Sequence, residues 1–471
     1  MRNAIILHQT TITSPHTFLL LLIQYINVFS GGVFYLKSKL VKGTFILTIA
    51  GLATRFLGFL YKLLLSNLLG SELLGVYQLV FPVYGICFTL YGAGMQTAIS
   101  KVVSEQKATD TYTHKKTLYC GMFLSVGIAL ACSFVLFFFP EQIATTFLKE
   151  ARCADSLRFL SFTFPACAIS ACINGFYFGQ TQTKHPAIAQ FIEQISRILF
   201  SLILLFFFQR SHKSFTCEIA VFAIAVGEIT AMFYNSYTIL HNNSSLKKNS
   251  YSEPAKHIYC KLLSFTIPLT ATHLVVSFLH AMENILIPQL LCTHGFTSKE
   301  ALSIYGILTG MTLPLLLFPS TLFNSLSVLL LPSISKAKSE QNVKYIKKAV
   351  SLSVSGSLLT GLCSSLFFVL TGKFLGILLF HNELCGIYLR NLAWICPMLY
   401  LNAMFSSILN GLGKTQITFR NTTFSLLLRI GLFLFFIPNI GIAGYFFAML
   451  LSEFCYTIFQ SLSLIPLCKK I

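Results

Sequence analysis

The stretch 39–106, KLVKGTFILTIAGLATRFLGFLYKLLLSNLLGSELLGVYQLVFPVYGICFTLYGAGMQTAISKVVSEQ, decides the fold. It holds two apolar spans of membrane length, joined at Ser71-Glu72. Arg55 lies near the middle of the first span and Lys62 seven residues on. Seven residues is nearly two helical turns, so both cations share one face. A cation at the bilayer centre costs at least ~2.5–3.5 kcal/mol. The face is therefore predicted to line a polar interior, where an anion meets it. The competing reading for Arg55 is an ion pair with a carboxylate on a neighbouring helix. For Lys62, nearer the span end, it is snorkelling to the interface.

The rest of the chain has the same character. It is 471 residues long, 55% hydrophobic and only 10% charged, with mean hydropathy +0.73. This excludes an ordinary soluble domain. Twelve spans are predicted: 43–66, 75–99, 118–139, 157–178, 187–208, 217–239, 262–291, 302–331, 348–370, 386–410, 417–437 and 440–465. The seventh contains Pro268 and Pro288 and the eighth Pro314 and Pro319, so both are expected to be kinked or broken. The net charge of +19 sits mostly in short loops. One side carries 21 lysines and arginines and the other 8. The positive-inside rule explains this with no nucleic acid partner and puts both ends of the core in the cytoplasm of a bacterial cell. Fourteen cysteines are scattered without a CxxC pair, so neither a disulfide framework nor a metal centre is expected.

Residues 1–36 stand apart. Positions 18–36 are apolar and uncharged, and read as a signal-like or spanning segment. Equally, the start is assigned too early: Gly31-Gly32-Val33 can be encoded by a ribosome-binding-site-like GGAGGTGTN, with Leu36 as a TTG start.

The chain is internally duplicated. Ile99-Ser100-Lys101-x-x-Ser104-Glu105-Gln106 returns as Ile334-Ser335-Lys336-x-x-Ser339-Glu340-Gln341. Ala53-Thr54-Arg55 pairs with Ala271-Thr272-His273, and Lys62 falls opposite His280. Asn174-Gly175 echoes Asn410-Gly411, Arg197 echoes Arg429, and Glu228 echoes Glu453. Six spans per copy is even, so the copies are parallel repeats about an axis along the membrane normal. The expected units are an N-lobe at 37–245, a polar cytoplasmic linker at 246–257 and a C-lobe at 258–471. Two six-helix lobes with an interior between them is transporter architecture.

Further ionisable residues lie in spans. His273 and His280 are seven apart, with Glu283 nearly one turn beyond; they read as a second cavity wall, or as hydrogen-bonded packing residues. Glu193 and Arg197 are spaced for a local ion pair. Arg429, Glu228 and Glu453 are single charges, expected to pair between helices of their lobes. No HExxH, P-loop or GxSxG motif occurs, so no enzyme and no cofactor is expected.

These residues carry a family resemblance. KGTFILTIAGLATRFLGF (42–59), GVYQLVFPVY (75–84) and AISKVVSEQ (98–106) resemble the opening of the stage V sporulation protein B group. That group consists of polysaccharide-biosynthesis proteins in the MOP flippase superfamily, with MurJ-type, Wzx-type and MATE members. GFYFGQTQTKHPAIAQFIEQISRI (175–198), ENILIPQLL (283–291), the stretch 305–337 and LNGLGKTQI (409–417) continue the resemblance in family order. It implies two lobes around a V-shaped cavity whose cations bind the diphosphate of a lipid-linked oligosaccharide. It also implies that Arg55 is the required arginine of the TRFLGF motif. The chain departs from MurJ-type members in having no arginine in spans 2 and 8, and in having His273 where relatives often have arginine. The sporulation group usually continues for two more spans.

The sequence thus reads as an all-α polytopic membrane protein of twelve core helices. It is expected to act as a monomer that moves an undecaprenyl-diphosphate-linked sugar precursor by alternating access. Arg55, Lys62, His273, His280 and Glu283 are the expected substrate contacts, and the coupling ion, H+ or Na+, is left open. A MATE-type exporter of cationic drugs is the alternative. It would want more cavity carboxylates than the spans supply.

Overall fold

The computed structural model describes residues 39–106, 111–210, 216–241, 254–321 and 343–470. Residues 1–36, linker positions 246–253 and the second octapeptide copy, 334–341, lie outside the described residues.

Among the described residues the chain is helical, without strands. The crossings, in chain order, are α1 (39–69), α2 (71–105), α3 (Thr111–Phe138), α4 (153–179), α5 (Lys184–Arg210) and α6 (Cys217–His241). They continue as α7 (Ala255–His294), α8 (Ser298–Leu317), α9 (Val343–Phe380), α10 (Glu383–Gly411), α11 (415–439) and α12 (442–470). Two pairs run on without a loop. The helix from Ala50 to Glu105 has 56 residues. Unbroken, it would be ~84 Å long, about twice the ~40–45 Å of a whole bilayer. It is divided at Gly70, whose φ of 71° and ψ of 174° suit glycine alone. The α11–α12 pair divides likewise at Ile440-Gly441, where Gly441 has φ 61°. Helix α4 bends by 45° at its centre. Counting the bent pair once and the two divided helices twice gives twelve crossings among the described residues.

The two proline-bearing helices differ. Helix α7 continues through Pro268 and Pro288 without a break. Each proline removes a single backbone hydrogen bond, and α7 packs against α2 and the α11–α12 pair. Helix α8 does leave α geometry, in a π turn at Ile307–Thr312 just before Pro314. A matching π turn at Thr89–Ala93 interrupts α2, 218 residues earlier. The same offset separates Ala53-Thr54-Arg55 from Ala271-Thr272-His273.

Large apolar side chains cover the outside; Phe123 and Leu370 are each 74% exposed. In water this surface would aggregate, whereas in lipid it is what a spanning bundle requires. The main core runs through both halves, from Tyr61, Leu65 and Leu79 to Leu308, Leu389 and Phe433. A second cluster joins Met95, Ile99 and Val102 of α2 to Ile258 and Leu262 of α7.

The bundle has a basic end, where Lys101, Lys184 and Lys261 lie, and a far end, where Gly70, Gly295 and Glu383 lie. The halves touch at both. At the basic end the Lys261 ammonium is 3.1 Å from the Glu105 carboxylate, and Lys101 sits 3.8 Å over the Phe265 ring. At the far end Ser71 and Ser303 share a 2.7 Å hydrogen bond, and Asn67 Nδ2 donates to the Leu379 carbonyl at 3.2 Å. Also at the far end, Arg152 bridges Glu150 and Glu72 at 2.7 and 2.6 Å; these bonds raise the affinity of the guanidinium for its proton.

Backbones of α2 and α8 meet where both residues are glycine. A Cβ on Gly75 would lie 2.1 Å from the Leu302 carbonyl oxygen, and one on Gly306 would lie 2.1 Å from that of Ser71. Ser71→Cys paired with Ser303→Cys should therefore crosslink on oxidation, mapped by peptide mass. Adding Gly75→Leu should abolish the crosslink. Persistence of the crosslink in the triple variant would show that the helices do not need the glycine contact.

Candidate functional site

Helix α1 presents its two cations on its inner side. Tyr61, Leu65, Ser66 and Leu69 are buried, and Tyr61 Oη is 3.0 Å from Ser201 Oγ of α5. Leu60 is exposed on the opposite side. At ~100° per residue, Arg55 and Lys62 fall about 20° from each other and at least ~140° from Leu60. Arg55 is exposed and Lys62 half-buried. The Phe56 and Phe59 rings, beside Arg55, approach Phe318 at the end of α8 at 6.1 and 5.1 Å. This face therefore lies where the first half of the chain meets the second. Among the described residues, the side chains of Arg55 and Lys62 have no hydrogen-bond or ion-pair partner.

The other intramembrane arginines are partnered. Arg197 Nη2 is 2.5 Å from Glu193 Oε1 on the next turn of α5. Glu228 of α6 is buried close by and accepts a hydrogen bond from Tyr84 Oη of α2 at 3.4 Å. In the second half Arg429 of α11 reaches Glu283 of α7 at 3.2 Å, and it also bonds Glu453 of α12. Its Nε donates to Ser452 Oγ at 2.9 Å, and Asn402 of α10 donates to Glu453 at 2.7 Å. Arg429 is thus buried between carboxylates of two other helices, whereas Arg197 is half-buried against a carboxylate of its own helix. Glu228, expected to pair between helices, is instead hydrogen-bonded by Tyr84.

Glu283 needs correcting as a cavity contact. It is only 7% exposed and is committed to Arg429. Freeing it for a ligand would leave the buried guanidinium short of a partner, which is strongly destabilising. His280 does face the cavity, while its Nδ1 is 3.4 Å from Glu283 Oε2. His273, two turns toward the basic end, is exposed and does not join this cluster.

Between α2, α7 and α8 lies a cavity of about 220 Å³, whose lining includes Gln78, Ser277, His280, Asn284, Tyr305 and Thr309. Thr309 belongs to the π turn of α8, a departure that often marks functional positions. Sequence reasoning passed over Gln78, Asn284 and Asn402, because it searched spans for ionisable groups. Amides inside spans were the signal available. Among the described residues no group of three or more His, Cys, Asp or Glu is placed to hold a metal ion.

A model of the family described as polysaccharide biosynthesis protein matches residues 40–338, more than half of the chain. The chain belongs to that family. Stage V sporulation protein B of Bacillus subtilis is 24% identical over 414 residues, covering 87% of this chain and 80% of that one. Lipid II flippase MurJ of the same organism is 23% identical over 420 residues, covering 81% and 74%. Among solved structures, an inward-facing multidrug resistance MATE family transporter of the MOP superfamily superposes with TM-score 0.70 at 15% identity, covering 90% of this chain and 99% of that one. Lipid II flippase MurJ in an inward closed conformation gives 0.68 at 17% identity, covering 89% and 87%. These structural likenesses establish the MOP fold of a multi-pass membrane protein.

Proposed function

We propose that this chain is a flippase that moves an undecaprenyl-diphosphate-linked sugar across the bacterial cytoplasmic membrane. The observation that carries the reading is a contrast in pairing. Arg197 and Arg429 are bound to carboxylates, whereas Arg55 and Lys62 have none among the described residues. Two unpaired cations on one inner face of a spanning helix cost ~2.5–3.5 kcal/mol each unless an anion or water meets them. A diphosphate offers several oxygens, which arginine grips in a bidentate fork and lysine meets as a point charge. The lipid II flippase MurJ as a relative supports the same class.

In this reading α1–α6 and α7–α12 are two lobes that rock about their shared contacts. The basic end faces the cytoplasm, and both core termini lie there. The sugar diphosphate crosses between the lobes while its lipid tail stays in the bilayer. An anion of charge 2 moved through 100 mV is worth ~4.6 kcal/mol, and a cytoplasm-negative potential favours its outward transfer. The interior is built within one chain, so a monomer suffices.

Reconstitution tests this. Proteoliposomes carrying the protein should flip labelled undecaprenyl-diphosphate sugar, and faster when the entry side is made negative. Transport of a cationic dye with no flipping of the lipid would make the chain an exporter instead.

A further inference from the structure

We infer that the cavity bounded by Gln78, Asn284, Tyr305 and Thr309 is a sugar subsite, which takes one neutral pyranose unit of the lipid-linked substrate. The inference rests on the flippase reading and adds to it a place for the part of the substrate that carries no charge.

Gln78 supplies the first reason. It is 8% exposed and lines the cavity, and its Nε2 is buried without a hydrogen-bond partner. A buried amide left unmade costs ~1–3 kcal/mol, and native proteins keep few of them. Turning that amide into the cavity it lines would let a ligand hydroxyl or carbonyl oxygen relieve the cost. A second amide is held ready beside it. Asn284 Nδ2 donates to the His280 carbonyl at 2.7 Å, and its Oδ1 accepts from Tyr305 Oη at 3.2 Å. Those two bonds fix the amide plane and leave one N–H and one lone pair unspent. Ligands that carry both donors and acceptors, such as sugar hydroxyls and acetamido groups, match such a pair of amides.

Size and charge narrow the class. The cavity of about 220 Å³ equals about seven waters at ~30 Å³ each. That is room for one six-membered ring with its substituents. Among the described residues the lining includes no carboxylate, lysine or arginine, since Glu283 is turned to Arg429, and His280 is its one imidazole. A neutral ligand loses least by entering.

Position completes the case. Gln78 stands eight residues after Gly70 and Lys62 eight before it, so the two lie at a similar depth. Arg55 is ~10 Å nearer the basic end. A diphosphate between Arg55 and Lys62 would lie between the depth of the cavity and the basic end. The Gly75–Gly306 contact closes the path just beyond.

The test compares two lipids in nanodiscs containing the full chain: undecaprenyl diphosphate, and the same lipid bearing one N-acetylglucosamine. Wild type should bind the sugar-bearing lipid about tenfold more tightly, or ~1.4 kcal/mol. Gln78→Leu should bring that ratio to about one and leave binding of bare undecaprenyl diphosphate unchanged. Tyr305→Phe, which removes one hydroxyl at constant shape, should lower the ratio to about threefold. Equal wild-type affinities, or an undiminished ratio in Gln78→Leu, would overturn the subsite. Arg55→Ala should weaken both lipids alike. If it weakens neither, the diphosphate reading fails, and the Gln78 ratio still reports on the sugar separately.

Discussion

Arg55→Ala should slow flipping of an undecaprenyl-diphosphate sugar by on the order of 100-fold while leaving the fold intact. Among the described residues Arg55 has no partner to orphan, so its removal strands no buried carboxylate. The diphosphate loses its best contact, and truncating one side of a desolvated charge pair costs about 2–5 kcal/mol. Arg55→Lys should recover part of the rate, because it keeps the charge and loses the planar fork. Lys62→Ala should show the same pattern with a smaller loss. Proteoliposome flipping rates and thermal midpoints in detergent measure both quantities. A variant that flips normally, or that loses flipping only because it unfolds, would remove Arg55 from the substrate path.

Arg429→Met should do the reverse, with stability falling first. It would leave Glu283 and Glu453 without their shared cation, with the neutral side chains of Asn402 and Ser452 and the imidazole of His280 nearby. Breaking a buried ion network from one side costs about 3–5 kcal/mol, because a charge stays behind uncompensated. The midpoint should drop by on the order of 10 °C. Neutralising the stranded groups with Glu283→Gln and Glu453→Gln in the same chain should return most of that loss. Arg197→Met should cost less, because its bonded carboxylate, Glu193, is more exposed than Glu283 or Glu453. A single Arg429→Met chain as stable as wild type would mean that the guanidinium is not what holds α7, α11 and α12 together.

The architecture was legible because the bilayer imposes it. Uninterrupted apolar runs had to be helices, and the parallel echo of Arg197 in Arg429 and of Glu228 in Glu453 placed like charges on like helices. Pairing was only partly legible. The four-residue spacing pointed to Glu193–Arg197, but nothing local in the chain relates Glu283 to Arg429, which lies 146 residues away. The cluster of histidines with Glu283 looked like one wall in sequence, and packing split it. His280 turns to the cavity, Glu283 turns to α11, and His273 stands apart. Continuity at Pro268 and Pro288 depends on neighbouring helices, which no helix reveals by itself. Gln78 escaped notice because an amide in a span costs little until its surroundings leave it unpaired.

The reading depends on the Arg55 face of α1 opening to water and not to lipid. Thiol accessibility measures that. Arg55→Cys, Lys62→Cys and Leu60→Cys would be exposed in turn to a charged, membrane-impermeant thiol reagent, with peptide mass distinguishing them from the native cysteines. Positions 55 and 62 should be modified, undecaprenyl diphosphate should protect them, and position 60 should stay unreacted. Modification of position 60 with positions 55 and 62 untouched would turn the cations toward lipid and contradict the assignment.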